Sequence, residues 1–472
     1  MRLVLPPVRH RRHVVLASLV AILAIGQASC QRYERRPLDL EAHRGVFLSR
    51  LTPTTSPTPT PSDPSANAPS SPGAFDASDG LSLAEGEVVA LVYNADLRVA
   101  RLAAGVTRAT VEESGRWDDP TIGVDVARIL QGGPSPWKVL TTIGLTLPIS
   151  GRLRLEKERA GLEHEAEVAR VAHAEWRTRM SLRRAWVRWS SLETVAAVDL
   201  GLIEQLDRVL PAVDALERGN EITRAEARLF RIERAQAAAS LAQTQAQRLQ
   251  AELEIRRLMG LAPTSTAAIR PEWPAPSDPD APTETLTDRS PALLVARAEY
   301  EVSEKSLELE MREQYPDLTV APGYGREDGK DEALLNLMAP LPILNANRRG
   351  IAEATARRET ARARAEGELE SVMSMLAAAR ERTRAARERR RLLEQDAIPL
   401  ADAQLEDARR MAELGEVNVM VLLESLRRQS ETRRRAIEAR TDESLAAVDA
   451  IELTGDTPAA EAPNDTHSRR TP

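Results

Sequence analysis

Residues 139–160 read VLTTIGLTLPISGRLRLEKERA, and the hydrophobic period changes within them. Up to Leu147 the apolar Val139, Ile143, Leu145 and Leu147 face one way and Thr142, Gly144 and Thr146 the other. This is the period of a half-buried strand. From Arg152 the spacing turns helical, and only Pro211 interrupts it before Arg218. At ~1.5 Å per residue that helix would be roughly 100 Å long. A second strand is expected just upstream at Thr121–Val126, where Ile122, Val124 and Val126 alternate with Thr121, Gly123 and Asp125, across a loop holding Gly132-Gly133-Pro134.

The same passage returns about 196 residues later. Leu97-Arg98-Val99-Ala100-Arg101 aligns with Leu293-Leu294-Val295-Ala296-Arg297, Pro120 with Pro316, Val124 with Val320, Leu147-Pro148-Ile149 with Leu341-Pro342-Ile343, two residues early, and Gly219 with Gly415. Matches that keep order, spacing and period mark an internal duplication. Each copy reads as helix, strand, strand, long helix, glycine break, helix. In the first, a helix is expected from Ser82 to about Gly115, opened by a capping box of Ser82 and Glu85. In the second, strands are expected around Leu318, Val320 and Tyr324, and around Leu335, Leu337 and Leu341, across an acidic turn from Arg326 to Asp331. The second long helix, Arg349 to Leu414, holds only Pro399; the return helices are Ile222–Met259 and Val417–Leu453.

Composition agrees with long helices. Of 472 residues 42% are hydrophobic but only 3% aromatic, so Ala, Leu, Val and Ile must make the seams. Such helices bury a narrow stripe and need neighbours along their length. A net charge of −7 argues against a nucleic-acid binder. Four strands cannot close a barrel, and a small sheet with one apolar face cannot hide it alone. Three chains donating four strands each would close a barrel of twelve, with apolar alternates toward lipid and polar alternates toward a lumen. The fold class expected is mainly α with a small β part: duplicated helix–strand–strand–helix repeats, a long coiled-coil-like helical tunnel, and four strands per chain in a trimeric twelve-stranded β-barrel.

The N-terminus carries Arg9, Arg11 and Arg12, an apolar run from Val14 to Ile25, then Gly26-Gln27-Ala28-Ser29-Cys30. The run is too short to span a bilayer and reads as a secretory signal. Cys30, the sole cysteine, permits no intramolecular disulfide. Its position resembles the lipidation cysteine of bacterial lipoproteins, although Gln27 stands where an aliphatic is usual; ordinary cleavage after Ala28 is the alternative. Arg50 to Gly73 is rich in Thr, Pro and Ser and reads as an extended tether. The expected organisation is a signal peptide at 1–29, an N-terminal segment with the tether at 30–80, a first repeat at 81–262, a linker at 263–287, a second repeat at 288–454 and a disordered tail at 455–472.

These features resemble the TolC family of outer-membrane efflux channels over roughly 81–454. The resemblance is carried by LSLAEGEVVALVYNADLRVAR, LTLPISGRLRLEKERA, MAPLPILNANRRGIAEATARRE, ALERGNEITRAEARL, AELGEVNVMVLLESL and LEIRRLMGLAP, in that duplicated order. It implies an outer-membrane channel extending into the periplasm: a homotrimer in outer-membrane lipid, working with a periplasmic adaptor protein and an inner-membrane pump. It further implies that the adaptor docks at two helical turns, Gly219, Asn220, Glu221, Ile222 and Thr223 in one copy and Gly415, Glu416, Val417 and Asn418 in the other. Glu226 and Glu424 would lie at the narrowing end of the tunnel as an aperture ring, against the plainer reading of a solvated helix face. Arg218, Arg224 and Arg228 could hold a closed tip by ion pairs, each worth at most ~1 kcal/mol. The passage PLPILNANRRGIAEA is similar to the heavy-metal efflux branch.

No cofactor and no metal site is expected: His164 and His173 are nine apart and share no ligand-spaced helix face. Trp176, Trp186 and Trp189 read as packing. No catalytic motif occurs, so an enzyme is not expected. The competing reading is a periplasmic coiled-coil scaffold or adaptor, which would carry one helical hairpin where this chain repeats a whole helix–strand–helix unit.

Overall fold

The computed structural model describes residues 33–51, 80–128, 137–274, 285–327, 330–413 and 418–456. The signal peptide, Cys30, the tether beyond Leu51, the Gly132–Pro134 loop, Gly415 to Val417 and the tail beyond Asp456 lie outside them. The chain divides into two units, 1–49 and 50–472. In the first, helix α1 (Leu40–Leu48) starts at Asp39, whose Oδ1 accepts from the Ala42 amide at 2.9 Å. This short helix was not legible in the sequence.

In the second unit the expected tether start belongs to the body instead. Arg50 donates to the carbonyl oxygens of Gly260 and Tyr93, at 2.6 and 3.3 Å, and stacks over the Tyr93 ring. Helix α2 (Leu83–Tyr93) has the expected capping box: Ser82 Oγ accepts from the Glu85 amide and Glu85 Oε2 from the Ser82 amide. The continuous helix expected to Gly115 is broken at Asn94. Its buried side chain accepts from the amides of Asp96 and Leu97, opening α3 (Ala95–Glu113), and donates to the Leu258 carbonyl. A side chain serving a new helix start and a distant carbonyl at once outweighs continuity.

Strands β1 (Thr121–Arg128) and β2 (Trp137–Leu147) lead into α4 (Arg152–Arg218), 67 residues in one helix. After α5 (Arg224–Leu258) the chain passes through α6 (Leu286–Arg289) and α7 (Pro291–Arg312) to β3 (Leu318–Glu327) and β4 (Lys330–Met338). The acidic turn is expected from Arg326 to Asp331, but Arg326 and Glu327 belong to β3 and Lys330 and Asp331 to β4, with Glu327 paired to Lys330; Asp328 and Gly329 lie outside the described residues. Leu341 lies beyond β4, because Pro340 and Pro342 have no amide to offer a ladder.

The second long helix is α8 (Arg348–Leu392), which passes through a π-helical turn (Leu393–Ala397) into α9 (Ile398–Glu413); α10 (Val419–Thr454) returns. The π turn lies just before Pro399, whose missing amide and bulky ring disturb the helix one turn back. Pro211 is carried inside α4 with no such turn.

The repeats show their kinship in backbone detail. The Ile149 amide donates to Leu147 O, and Ile343 to Leu341 O, both at 2.9 Å, in matching turns after the strands. A left-handed residue stands before each long helix, Gly151 at φ 76° and Asn347 at φ 51°. The core gathers midway along α4, where Trp186 and Trp189 meet edge to face with Leu83, Ala90, Ile255 and Met259. Buried beside it, Glu87 takes both Arg179 and Arg183. Among the described residues no helix is long and apolar enough to cross a membrane.

Candidate functional site: the helical tip and the sheet faces

Two regions hold the expected site residues. At the first turn, α4 ends with the Glu221 amide on Leu216 O at 3.0 Å and the Asn220 amide on Glu217 O at 3.2 Å. The left-handed residue that this ending requires is Asn220, at φ 56°, whereas Gly219 keeps a right-handed φ of −77°. The break expected at glycine is thus made by the asparagine beside it, the other residue type that tolerates that conformation. Gly219 through Thr223 are exposed apart from half-buried Ile222, which packs on the core behind the turn. Arg231 spans Asp214 and Glu217 at 2.7 and 2.6 Å on the rim of an open cleft of about 730 Å³.

Glu226 is the third residue of a second capping box, a Thr-x-x-Glu signal the sequence reading passed over. Its Oε2 accepts from the Thr223 amide at 2.7 Å and hydroxyl at 2.8 Å, while Thr223 Oγ1 accepts from the Glu226 amide at 3.2 Å. The backbone bond first, then the hydroxyl, holds this carboxyl below the usual carboxylate range. Glu424 meets Arg428 at 3.0 Å, one turn along its own exposed helix face. Each carboxylate is therefore engaged within its own helix. Of the second turn, Asn418 is described: it caps α10 by accepting from the Val421 amide.

The two hairpins share one core behind these turns. Val213, Ala227 and Phe230 from α4 and α5 pack with Leu405 of α9 and Val419, Leu422 and Leu426 of α10. Arg427 meets Glu233 across the same seam at 3.1 Å. Farther along, Asp199, 2% exposed, accepts from Arg434 Nη1 at 3.0 Å and from Ser240 and Thr244 at 3.2 Å, joining α4, α5 and α10. Sequence reasoning missed this node; a lone carboxylate inside the apolar run Val195 to Ile203 was its signal.

At the other region the four strands form one antiparallel sheet in the order β1-β2-β3-β4, so β1 and β4 are both open edges. One face carries Ile122, Val124 and Val126, paired with Ile143, Thr141 and Val139, then Leu145, Val320 and Leu337 in one row. These residues meet no layer: Ile122, Val124 and Val126 are each 61% exposed. The other face carries Thr121, Gly123, Asp125, Lys138, Thr142, Gly144, Gly323, Gly325 and Asn336, with Leu140, Ala321, Leu334 and Met338 among them. A methyl group on Gly323 would come within 2.8 Å of Thr142 Cγ2, and one on Gly325 within 3.0 Å of the Leu140 α-carbon. The glycines thus leave this face low beneath its cross-strand partners; in a closed barrel it would be the concave, inner face and the apolar face the convex, outer one. Trp137, over which Arg128 stacks, and Tyr324 stand on the convex face.

The remaining candidates have structural partners. His164 Nδ1 lies 3.0 Å from Thr107 Oγ1; burial, then Arg177, lowers the His173 pKa. Trp176 Nε1 donates to Glu452 O and Trp186 Nε1 to Arg270 O. Among the described residues no three His, Cys, Asp or Glu are grouped to hold a metal. In the passage similar to the heavy-metal branch, Asn347 donates to the carbonyl and carboxylate of Glu310 at 2.9 and 2.8 Å, and Gly350 leaves room for that carboxylate. These contacts seat Asn347 and Gly350 at the start of α8.

No protein-family description and no curated protein matches the chain by sequence. Solved structures do match. The outer-membrane channel OprN superposes with a TM-score of 0.69 at 18% identity, over 79% of this chain and 89% of its own. The outer membrane protein VceC of Vibrio cholerae gives 0.68 at 16%, over 79% and 96%, and the CmeC outer membrane channel of Campylobacter jejuni 0.67 at 13%, over 80% and 86%. The duplicated helical body and its four-stranded sheet are thus built on the fold of TolC-like outer-membrane channels.

Proposed function

We propose that the chain is the outer-membrane component of a tripartite efflux system, a passive exit duct through which an adaptor and an inner-membrane pump deliver cargo. The observation that carries this reading is the sheet. Its strands are 8, 11, 10 and 9 residues long, close to the ~9–11 that a tilted strand needs to cross a bilayer. Its convex face is apolar and bare apart from charges at the hairpin end, its concave face carries the greater share of polar residues and glycines beside Leu140, Ala321, Leu334 and Met338, and both edges are open. Three copies joined edge to edge would satisfy all three conditions, closing twelve strands with lipid outside and water inside. The long helices would then continue the duct into the periplasm as a cylinder. A scaffold or adaptor has no use for such a sheet.

On this reading the repeats at 81–262 and 288–454 each supply half of a protomer's wall, joined by the linker 263–287. The turns Gly219–Thr223 and 415–418 form the docking end for the adaptor, with Glu226 and Glu424 nearby, a reading supported by the core that the described helices of the two hairpins share. The segment 1–29 would be removed on export, and Cys30 would carry a lipid in the outer membrane. The duct performs no chemistry; the energy comes from the pump. Membrane fractionation followed by gel electrophoresis without boiling tests this: an outer-membrane trimer band that collapses on heating is expected. A water-soluble monomer needing no detergent would overturn it.

A further inference from the structure

The concave face ends in a charged network at the hairpin end of the sheet. Lys138 Nζ lies 2.7 Å from Glu327 Oε2 and 3.3 Å from Glu332 Oε2, so one ammonium on β2 ties together carboxylates on β3 and β4. The register places two more charges on this face. Asp125 pairs with Leu140, Gly325 with Glu332, and Lys330 with Glu327, so Asp125 and Lys330 share the side on which Lys138 stands. Among the described residues this end of the concave face thus holds three carboxylates and two ammonium groups. The opposite face is separate: there Arg326 pairs with Asp331 at 3.2 Å, and Arg128 stacks over Trp137.

We infer that Lys138 sets the ion preference of the outer mouth of the duct. The inference rests on the channel reading above, which turns the concave face toward the lumen. In a water-filled pore with low-dielectric walls, fixed charge concentrates counter-ions and excludes co-ions. Among the described residues Lys138 offsets one unit of the negative charge that Glu327 on β3 and Glu332 on β4 bring to this end, leaving one net negative charge per chain, three in a closed trimer. Without it the same mouth carries twice that charge and nothing bridges β2 to β4. The mouth is therefore held mildly cation-preferring, open to anionic as well as cationic cargo.

Purified protein in planar lipid bilayers under a potassium chloride gradient tests this through the reversal potential. Lys138→Gln is expected to raise the potassium-to-chloride permeability ratio by about twofold or more, an effect that shrinks as salt rises and the fixed charge is screened. Glu327→Gln alone should move the ratio toward chloride, and the double variant should return it to the wild-type value because the net charge is restored. Lys138→Arg should keep the wild-type ratio. If Lys138→Gln forms pores with an unchanged ratio, or if the double variant keeps the ratio of the single one, the inference is wrong. Should Lys138→Gln fail to insert, Glu327→Gln decides by the same readout. Wild-type protein that gives no conductance overturns the channel reading, and this inference with it.

Discussion

The α-carbon of Gly260 lies against the backbone carbonyl of Tyr93 so closely that a methyl group there would overlap it, and Gly455 lies in the same way against Arg289. Both glycines are left-handed, at φ 68° and φ 74°. Each ends the return helix of its repeat on the last residue of that repeat's opening helix, so the duplication persists as one packing joint used twice. Gly260→Ala and Gly455→Ala each combine strain with overlap and are expected to cost about 2–3 kcal/mol, read as loss of helical circular dichroism at lower temperature. Gly161→Ala, inside α4 with open space around it, should instead gain up to ~1 kcal/mol.

At the first turn the left-handed position is Asn220, which reverses the intuitive ranking of the two neighbours. Gly219→Ala is expected to be neutral or slightly stabilising, since its added methyl meets only ordinary contacts, the nearest 3.5 Å away at Ala215 O. Asn220→Val should cost ~1–2 kcal/mol, because a branched residue pays fully for φ 56°. Amide hydrogen exchange at Glu221 and Ile222 reads the difference, and equal protection in both variants would contradict the assignment.

The strands, long helices and repeat were legible because each is written as a period: alternation in Val139–Leu147, threes and fours from Arg152 onward. The expected bounds of α4 match the observed ones. What escaped depended on single side chains acting across the fold. Asn94 breaks a helix through a carbonyl 164 residues away. Asn220 takes a role that the adjacent glycine advertises, and Glu226 closes a cap whose Thr-x-x-Glu signal is short and common. The Asp199 node joins helices of both repeats, which no local pattern can announce.

Asp199 and Arg434 predict an asymmetry. Arg434 is 42% exposed and water can take over its charge, but Asp199 is 2% exposed and would retain only the Ser240 and Thr244 hydroxyls. Arg434→Ala should therefore destabilise by about 2–4 kcal/mol and Asp199→Asn by about 1–2 kcal/mol, measured by thermal unfolding. The opposite order would show that the buried carboxylate does not depend on the guanidinium.

Glu226 gives the tip a pH dependence of definite sign. Its folded pKa lies below the ordinary carboxylate value of 4.5 because the Thr223 amide, then its hydroxyl, donates to the ionised form. The stabilisation is complete above about pH 4.5 and is lost as pH falls through the lowered value. Exchange protection of the first turn of α5 should decline below that pH in the wild type. In Glu226→Gln, which has no charge to lose, this step is expected to vanish; its persistence would point to another group.

The two faces of the sheet should respond oppositely to the same charge. Val124 sits mid-strand on the convex face and Asn336 on the concave one, both exposed in the single chain. If the convex face meets lipid, Val124→Arg forces a guanidinium into hydrocarbon at a cost of about 2–4 kcal/mol per chain near the midplane. Asn336→Arg would point into water and cost little. Were the sheet a soluble cap, Val124→Arg would be harmless too, since that residue is already bare. The temperature at which the trimer band disappears on gels, together with the membrane-bound fraction, discriminates between these cases: a fall for Val124→Arg with no change for Asn336→Arg is the expected result.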